Sequence, residues 1–371
     1  MKTSNPLNIV FCDFDDIKNP LLGAGQAHAT VEVGGRLAQM GHQVRVICNR
    51  FPGSEDRYEN GLQYIHIGFG SSNIKLNNLS YILALPFTVM RLKADIIVDC
   101  FTAPISTLCS QLFTKIPVVG LPTSFDAERF SQLYHLPFTL IQNAGLKTYK
   151  YFMPYTQLLD DKFKKHNSTA KTKIIPEGVG SEYLEIKKQS PKHILFLGRF
   201  DMDQKGIDLL LQAFAQIKNE IKYPLVLAGY GPDEEKIKAL VSTLGLGDHV
   251  HFVGGAFGDV KKKLLAESVA VAFPSRNEGF SLFSLEALAS ALPLIGFDIP
   301  GLCWTNEEIA LKAKSFDVNE YAKLLKTVNN TTKINTMSKA AREFASHYTW
   351  DNVAQEFDRF FQAAHLEQGA K

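Results

Sequence analysis

"VAVAFPSRNEGFSLFSLEALASALPLIG", residues 269–296, is the stretch that decides the fold class. "VAVAF" is a short, continuous apolar run of the length of a buried strand. It stops at Pro274, and the polar turn "SRNEG" follows. Apolar residues then crowd the segment from Leu282 to Ala291, which reads as a helix, and "LPLIG" (292–296) reads as a second buried strand. Strand, helix and strand in that order form the unit of a parallel sheet with helices on its faces.

Two carboxylates in this stretch need an account. Glu278 stands beside Gly279, and Glu286 lies among Leu282, Phe283, Leu285, Leu288 and Ala289. An unpaired carboxylate packed among apolar residues is costly, so Glu286 needs ligand hydroxyls or an internal cation. On one continuous helix the pair would be turned by about 80° and separated by about 12 Å. They could not converge on one atom. With Glu278 in the loop before the helix, both can border one long ligand. The free N–H groups of Gly279, Phe280, Ser281 and Leu282 then lie between them, aimed at an anion. A nucleotide-sugar has that shape. The plainer reading of Glu278 is an acid near a helix N-terminus, worth about 0.3–1 kcal/mol.

The same alternation extends outward in both directions. "KHILFLG" (192–198), "PLVLAG" (224–229) and "VHFVG" (250–254) read as strands, with helices at 206–218 and 233–245 between them. An earlier series begins with "NIVFC" (8–12), a glycine-rich loop "LLGAG", a helix over 27–41 and "QVRVIC" (43–48). "LQYIHIG" (62–68), "ADIIVDC" (94–100) and "IPVVGL" (116–121) continue it. The expectation is two Rossmann-like doubly wound domains, 1–185 and 186–349, facing each other across a cleft. The amphipathic last helix (350–371) is expected to pack back on the first domain. Ligands of such sheets bind at the carboxyl ends of the strands.

In the second domain those ends carry chemistry. "LGRFDMDQKG" (197–206) places Gly198, Arg199 and Lys205 in the loop after a strand, where two cations beside a helix start suit a diphosphate. Their bland alternative is solvated surface charge. "AGYGPDEE" (228–235) offers Gly229 and Gly231 for a tight turn or a close backbone approach to a ligand.

Composition excludes several classes. The chain has 371 residues and a formal net charge of +2, so nothing pulls it as a whole toward nucleic acid. No apolar run reaches membrane-spanning length; "YILALPFTVM" (81–90) is short and interrupted by Pro86. The N-terminus has no signal-peptide pattern, so a cytoplasmic protein is expected. The five cysteines show no C-x-x-C spacing; Cys12, Cys48 and Cys100 read as small buried hydrophobes, and no metal site is expected.

The segment 170–300 resembles glycosyltransferase family 4, retaining enzymes of the GT-B fold. The resemblance rests on "IIPEGV" (174–179), "LGRF" with Lys205–Gly206, "AGYGPDEEKIKAL", "VHFVGGA" and the E-x7-E element "EGFSLFSLE". It implies that Arg199 and Lys205 neutralise the donor diphosphate in place of a metal. It also implies that Glu278 binds the donor sugar hydroxyls, that backbone at Gly279 and Phe280 holds sugar and phosphate, and that Glu286 binds the ribose. "GAGQAHATVEVGGRLAQMGHQVRVI" resembles the family's glycine-rich loop and first helix, with Gly23 and Gly25 allowing backbone approach to donor or acceptor. Two departures stand out. The family's histidine after the fifth strand is missing, and Thr123, Ser124 and Asp126 occupy that region. The stretch after Pro300, "GLCWTNEEIALKAKSFD", shortens the usual glycine-rich loop. Asp126 and His28 are the fallback candidates for a contact near the reacting hydroxyl. Their plain alternatives are an N-cap and a polar helix start.

The reading is a metal-independent transfer of a hexose-type sugar, with retention, from a UDP- or GDP-sugar to a hydroxyl acceptor, in glycan or glycolipid synthesis. No cofactor is required. A nucleotide-sugar-binding protein without transferase activity, and a GT-B epimerase, remain open alternatives. A nicotinamide enzyme is disfavoured because the third glycine of the dinucleotide fingerprint and the acid ending the second strand are both missing. The acceptor is expected on the first domain. There "ILALPFTVMRLK" (82–93), "LKTYKYF" (146–152) and "DKFKKHNSTAKTK" (161–173) leave contact with a membrane surface open against ordinary solvated helices.

Overall fold

The computed structural model describes residues 5–21, 25–102, 110–125 and 127–369. The chain divides into two compact units, Met1–Glu177 with Trp350–Lys371, and Gly178–Thr349. Among the described residues the first unit carries β1 (Asn8–Asp13), β2 (Gln43–Asn49), β3 (Arg57–Glu59), β4 (Leu62–Ile67), β5 (Ile96–Thr102), β6 (Val118–Ser124), β7 (Tyr151–Phe152) and β8 (Lys171–Thr172). They form one sheet in the order β3-β4-β2-β1-β5-β6-β7-β8. All neighbours are parallel except β3 and β4. That hairpin turns on Asn60 and Gly61, with φ +53° and +80°. Positive φ at both central residues matches a type I′ turn, which Asn-Gly favours. The sequence reading found the strand at 62–68 and omitted its short antiparallel partner.

The second unit carries β9 (His193–Leu197), β10 (Leu225–Ala228), β11 (Val250–Gly254), β12 (Ser268–Phe273), β13 (Leu294–Phe297) and β14 (Ala310–Ala313). Their order is β11-β10-β9-β12-β13-β14, parallel throughout. This is the doubly wound arrangement, and it reverses direction between β9 and β12. Every residue of β10, β12 and β13 is buried. Helices covering both faces of a parallel sheet explain why these strands read as unbroken apolar runs.

Residues 178–185 go with the second unit, which moves the division from 185/186 to 177/178. Val179 and Ile186 lie in its core, and the Val179 amide donates to the Tyr348 carbonyl at 2.8 Å. Helix Trp350–Gly369 belongs to the first unit. Arg36 on helix Gly25–Gln39 donates to Asp351 at 2.5 Å, and Phe361 meets Phe11 of β1 edge-on at 6.5 Å. Helix Ile74–Arg91 runs through Pro86 rather than breaking there. Burial of Tyr81, Leu85 and Val89 on one face offsets the helical hydrogen bond that proline cannot donate. The segment after Pro300 supplies β14, the sheet's last strand, which the sequence reading left unassigned.

Candidate functional site

The direction change of the second sheet lies between β9 and β12, so the loops leaving these strands meet at their carboxyl ends. The loop after β9 contains a single helical turn, Met202–Lys205, capped by Asp201, whose side chain accepts from the Gln204 amide at 3.0 Å. Gly206 ends that turn at φ +63°. A Cβ on Gly206 would lie 2.1 Å from the Pro274 carbonyl oxygen, so only glycine lets the β9 and β12 loops close up. Arg276 locks them. Its guanidinium grips Asp208 with bonds of 2.7 and 2.6 Å and donates to the Met202 carbonyl at 2.6 Å. Arg276 lies within residues 269–296, yet its role is invisible until Asp208, in the first turn of helix Ile207–Ile217, is brought across to it.

The closed loops bring Lys205 and Glu278 together as an ion pair. Glu278 lies in the loop, three residues before Ser281, which caps helix Leu282–Ala289 by accepting from the Ser284 amide at 3.3 Å. Ser275 donates to Glu278 Oε1 at 3.1 Å. Behind Glu278 stands Gly301; a Cβ there would come within 2.5 Å of the glutamate's own Cβ. Phe280 stacks on Trp304 at 4.8 Å, and the Trp304 indole donates to the Gly301 carbonyl at 2.8 Å. The "GLCW" segment therefore backs the glutamate loop, a role its sequence gave no sign of.

Glu286 has an internal cation. Lys261 Nζ lies 2.5 Å from Glu286 Oε2, with both side chains 16% exposed. The same Lys261 lies 5.2 Å from the ring centroid of Tyr183. Burial, then the charge and hydrogen bonding of Glu286, push the Tyr183 hydroxyl well above its usual range. Arg199 is exposed and held by Asp201 and Gln204, each at 2.9 Å. Gly198, Arg199 and Gly229 line a cavity of about 250 Å³ with Tyr230, Ala256 and Phe257 at the ends of β9, β10 and β11. Gly231 packs on the Phe200 backbone beside it. The structure thus brings Lys205, Glu278, Gly279, Phe280, Ser281 and Leu282 to one end of the sheet, while Glu286 is paired deeper in the helix.

The first unit has a corresponding direction change between β1 and β5. Asp13 ends β1, and Thr30 donates to it at 2.5 Å. Burial raises the Asp13 carboxyl to about 7. On β5, Asp99 accepts from Ser110 at 2.7 Å and Tyr149 at 2.9 Å, and burial raises it to about 6. Asp16 takes both Arg57 nitrogens, at 2.6 and 2.8 Å, and His66 at 2.9 Å. Burial works the other way, but these bonds from His66 and Arg57 hold its carboxyl well below the usual range. Asp16, Cys48 and His66 lie within 4.8 Å of one another, yet the Arg57 guanidinium already occupies both Asp16 oxygens. The sequence reading passed over these acids, although "CDFDD" (12–16), at the end of the first strand, was the available signal for Asp13 and Asp16. Glu177 is buried with one carboxylate oxygen unpartnered among the described residues, and burial raises it to about 8.

Of the first-unit candidates, Gly25 begins helix Gly25–Gln39 and is exposed. His28 is exposed on that helix and meets Trp350 edge-on at 6.1 Å. Thr123 and Ser124 end β6. Gly23 and Asp126 lie outside the described residues. Cys12, Cys48 and Cys100 are buried, and burial pushes their thiols well up.

Two adjoining family models match the chain: "Glycosyltransferase Family 4" over residues 23–182 and "Glycosyl transferases group 1" over 184–344. The chain belongs to glycosyltransferase family 4 and has the GT-B fold. Among curated relatives, an uncharacterized glycosyltransferase of Methanocaldococcus jannaschii is 29% identical over 47% of this chain and 45% of its own length. A mannosyltransferase of Mycolicibacterium hassiacum, named MMP alpha-(1->4)-mannosyltransferase, is 26% identical over 52% of this chain and 48% of its own. The chain thus spans about half the length of the curated relatives it matches. Among solved structures, sucrose-phosphate synthase from Thermosynechococcus elongatus superposes with a TM-score of 0.77 at 18% identity, over 96% of this chain and 98% of that one. HepE of Anabaena, solved in complex with UDP-glucose, gives a TM-score of 0.70 at 15% identity, over 96% and 100%. At these identities the likeness establishes the fold.

Proposed function

We propose that the chain transfers a hexose-type sugar, with retention, from a nucleoside-diphosphate sugar to a hydroxyl acceptor. The observation that carries this is the Lys205–Glu278 pair at the direction change of the second sheet. A cation and a sugar-binding acid adjoin the capped N-terminus of helix Leu282–Ala289. In this reading the donor diphosphate takes the cation of Lys205, helped by Arg199 and the amides of Gly279–Leu282. Glu278 then turns to the sugar hydroxyls, and Glu286 meets the ribose. The slot between Tyr230 and Phe257 takes the base, with Gly198, Gly229 and Gly231 giving it room.

Charge develops on the departing diphosphate, and fixed cations aimed there lower the barrier. The acceptor oxygen bonds to the anomeric carbon as the carbon–phosphate-oxygen bond breaks, and the acceptor proton passes to the departing phosphate oxygen. No protein base is needed, which suits the absence of a histidine beside Thr123, Ser124 and Asp126. His28 and Asp126 are the groups proposed to orient the acceptor. Lys205 and Arg199 supply the charge a metal would, so turnover is expected to persist in excess chelator.

A thermal-shift screen of UDP-, GDP- and ADP-sugars, followed by donor turnover with chelator present, tests the reading. The HepE complex with UDP-glucose makes a uridine donor the first to try. A donor at 100 times its dissociation constant stabilises by about 2.7 kcal/mol. Stabilisation without transfer or hydrolysis would leave a nucleotide-sugar-binding protein. No stabilisation by any donor would overturn the site.

A further inference from the structure

The second unit has a charged groove at the end of its sheet away from Lys205 and Glu278. Lys188 precedes β9 and Ser268 opens β12, so both lie where these strands begin. The Lys188 stem is exposed, but its ammonium turns inward. Nζ donates to the carbonyl of the fully buried Ser268 at 2.6 Å and to that of Leu265 at 3.2 Å. Helix Thr331–Ser346 lines the same groove with Asn335, Ser338, Lys339, Arg342 and Ser346. Spacings of three, one, three and four residues put these on one helix face. Arg342 reaches two further carbonyls, of Ile186 at 2.6 Å and of Ala289 at 3.2 Å. The groove has a volume of about 640 Å³. Lys188, Asn335 and Ser338 also border a smaller cavity of about 160 Å³, together with Tyr223 and Thr331.

These cations are held in place without being neutralised. Carbonyls at helix ends carry only part of a negative charge. Among the described residues no carboxylate pairs with Lys188, Lys339 or Arg342. Burial of the ammonium, and then the charge of Arg342, bring Lys188 from 10.5 down to about 7. Cations crowded in this way are relieved by an anion between them. Glu343 is the one acid among the groove's lining residues, so three cations and one acid leave a double positive charge. A phosphate dianion matches that charge. The ammonium groups, the guanidinium, the Ser338 and Ser346 hydroxyls and the Asn335 amide supply donors for its oxygens. We infer that this groove binds a phosphoryl dianion, either free phosphate or the phosphate of a phosphorylated sugar. It is separate from the donor site. Helix Leu282–Ala289 begins at the Glu278 loop and ends on Arg342 through the Ala289 carbonyl, about 12 Å away along its axis. The two ligands therefore do not compete.

Titration calorimetry of the purified chain with inorganic phosphate and with glucose 6-phosphate, no donor present, tests this. Lys205→Met controls for phosphate held at the donor site, and binding is expected to survive it. Lys188→Gln and Lys339→Gln should each weaken binding about tenfold (about 1.4 kcal/mol), the loss of one charge-assisted contact. Glutamine at 188 keeps a donor for the Ser268 carbonyl. Lys339 is exposed and makes no bond among the described residues, so its variant should melt with wild type and carries the test if Lys188→Gln folds poorly. Tighter binding of glucose 6-phosphate than of inorganic phosphate would assign the groove to a phosphorylated sugar, and the reverse order would assign it to free phosphate. No binding of either at millimolar concentration would overturn the proposal. So would binding that Lys188→Gln and Lys339→Gln leave unchanged. Donor-induced thermal shift is expected to be the same in Lys339→Gln as in wild type, so this idea and the transferase reading can fail separately.

Discussion

Lys205→Met keeps the aliphatic stem and removes the cation from the centre of the second unit's site. In the fold, Lys205 is 22% exposed and Glu278 9%. Without the lysine, Glu278 keeps only the Ser275 hydroxyl of the two bonds described for its carboxylate. Breaking a fully buried pair costs about 3–5 kcal/mol, and an exposed pair is worth about 0–1 kcal/mol. The partial exposure of the lysine places the loss at about 1–2 kcal/mol, hence a fall in melting temperature of roughly 2–8 °C. Adding Glu278→Gln removes the stranded charge and should restore most of that loss. Turnover should not follow. A group stabilising charge on the departing diphosphate is worth about 10²–10³ in kcat, and the second substitution does nothing to replace it. Differential scanning fluorimetry and release of free nucleotide from the donor measure the two effects side by side. Near wild-type turnover in Lys205→Met, or recovery of turnover together with stability in the double variant, would show that the pair is structural and would sink the catalytic assignment.

Lys261→Met should destabilise the second unit by about 2 kcal/mol, since it leaves the Glu286 carboxylate partly buried without its cation. Lys261→Met/Glu286→Gln should recover at least half of that in urea unfolding; no recovery would mean that packing, not charge, sets the cost. Gly301→Ala should push Glu278 out of place and weaken donor binding at least tenfold (about 1.4 kcal/mol) in titration calorimetry. Unchanged affinity would dissociate Glu278 from the donor. Burial raises the Glu177 carboxyl from its ordinary 4.5 to about 8, so its contribution to stability is full below 4.5 and is lost as pH rises through 8. Asp13, raised from 3.8 to about 7, has the same sign. Glu177→Gln should flatten the fall in melting temperature between those limits and melt above wild type at the alkaline end. A pH profile parallel to wild type would show that Glu177 does not titrate in that window.

The division between what was readable and what was not follows the range of the interactions. The strands β10, β12 and β13 are written as apolar runs because a strand covered on both faces is buried at every position, a local property of consecutive residues. The Asn-Gly hairpin was equally local and could have been read. β14 could not, because "ALKA" alternates weakly and becomes a strand only by lying beside β13. The division at 177/178 was also out of reach, since Val179 joins the second unit through a bond to Tyr348, far along the chain.

The sequence by itself determined the doubly wound class and the loops at the strand ends, and it singled out Arg199, Lys205, Glu278 and Glu286 as candidates. Hydrophobic period, glycine placement and loop charge are all carried by neighbouring residues. Only the tertiary structure decided which of these charges meet. Lys205 reaches Glu278 because Gly206 and Arg276 draw two loops together, and Glu286 finds Lys261 on a different helix. It also decided that the helix through Pro86 turns Leu83 and Phe87 outward and Asn77 inward. Burial of a side chain is a property of what the fold stacks against it, and no single segment contains that information.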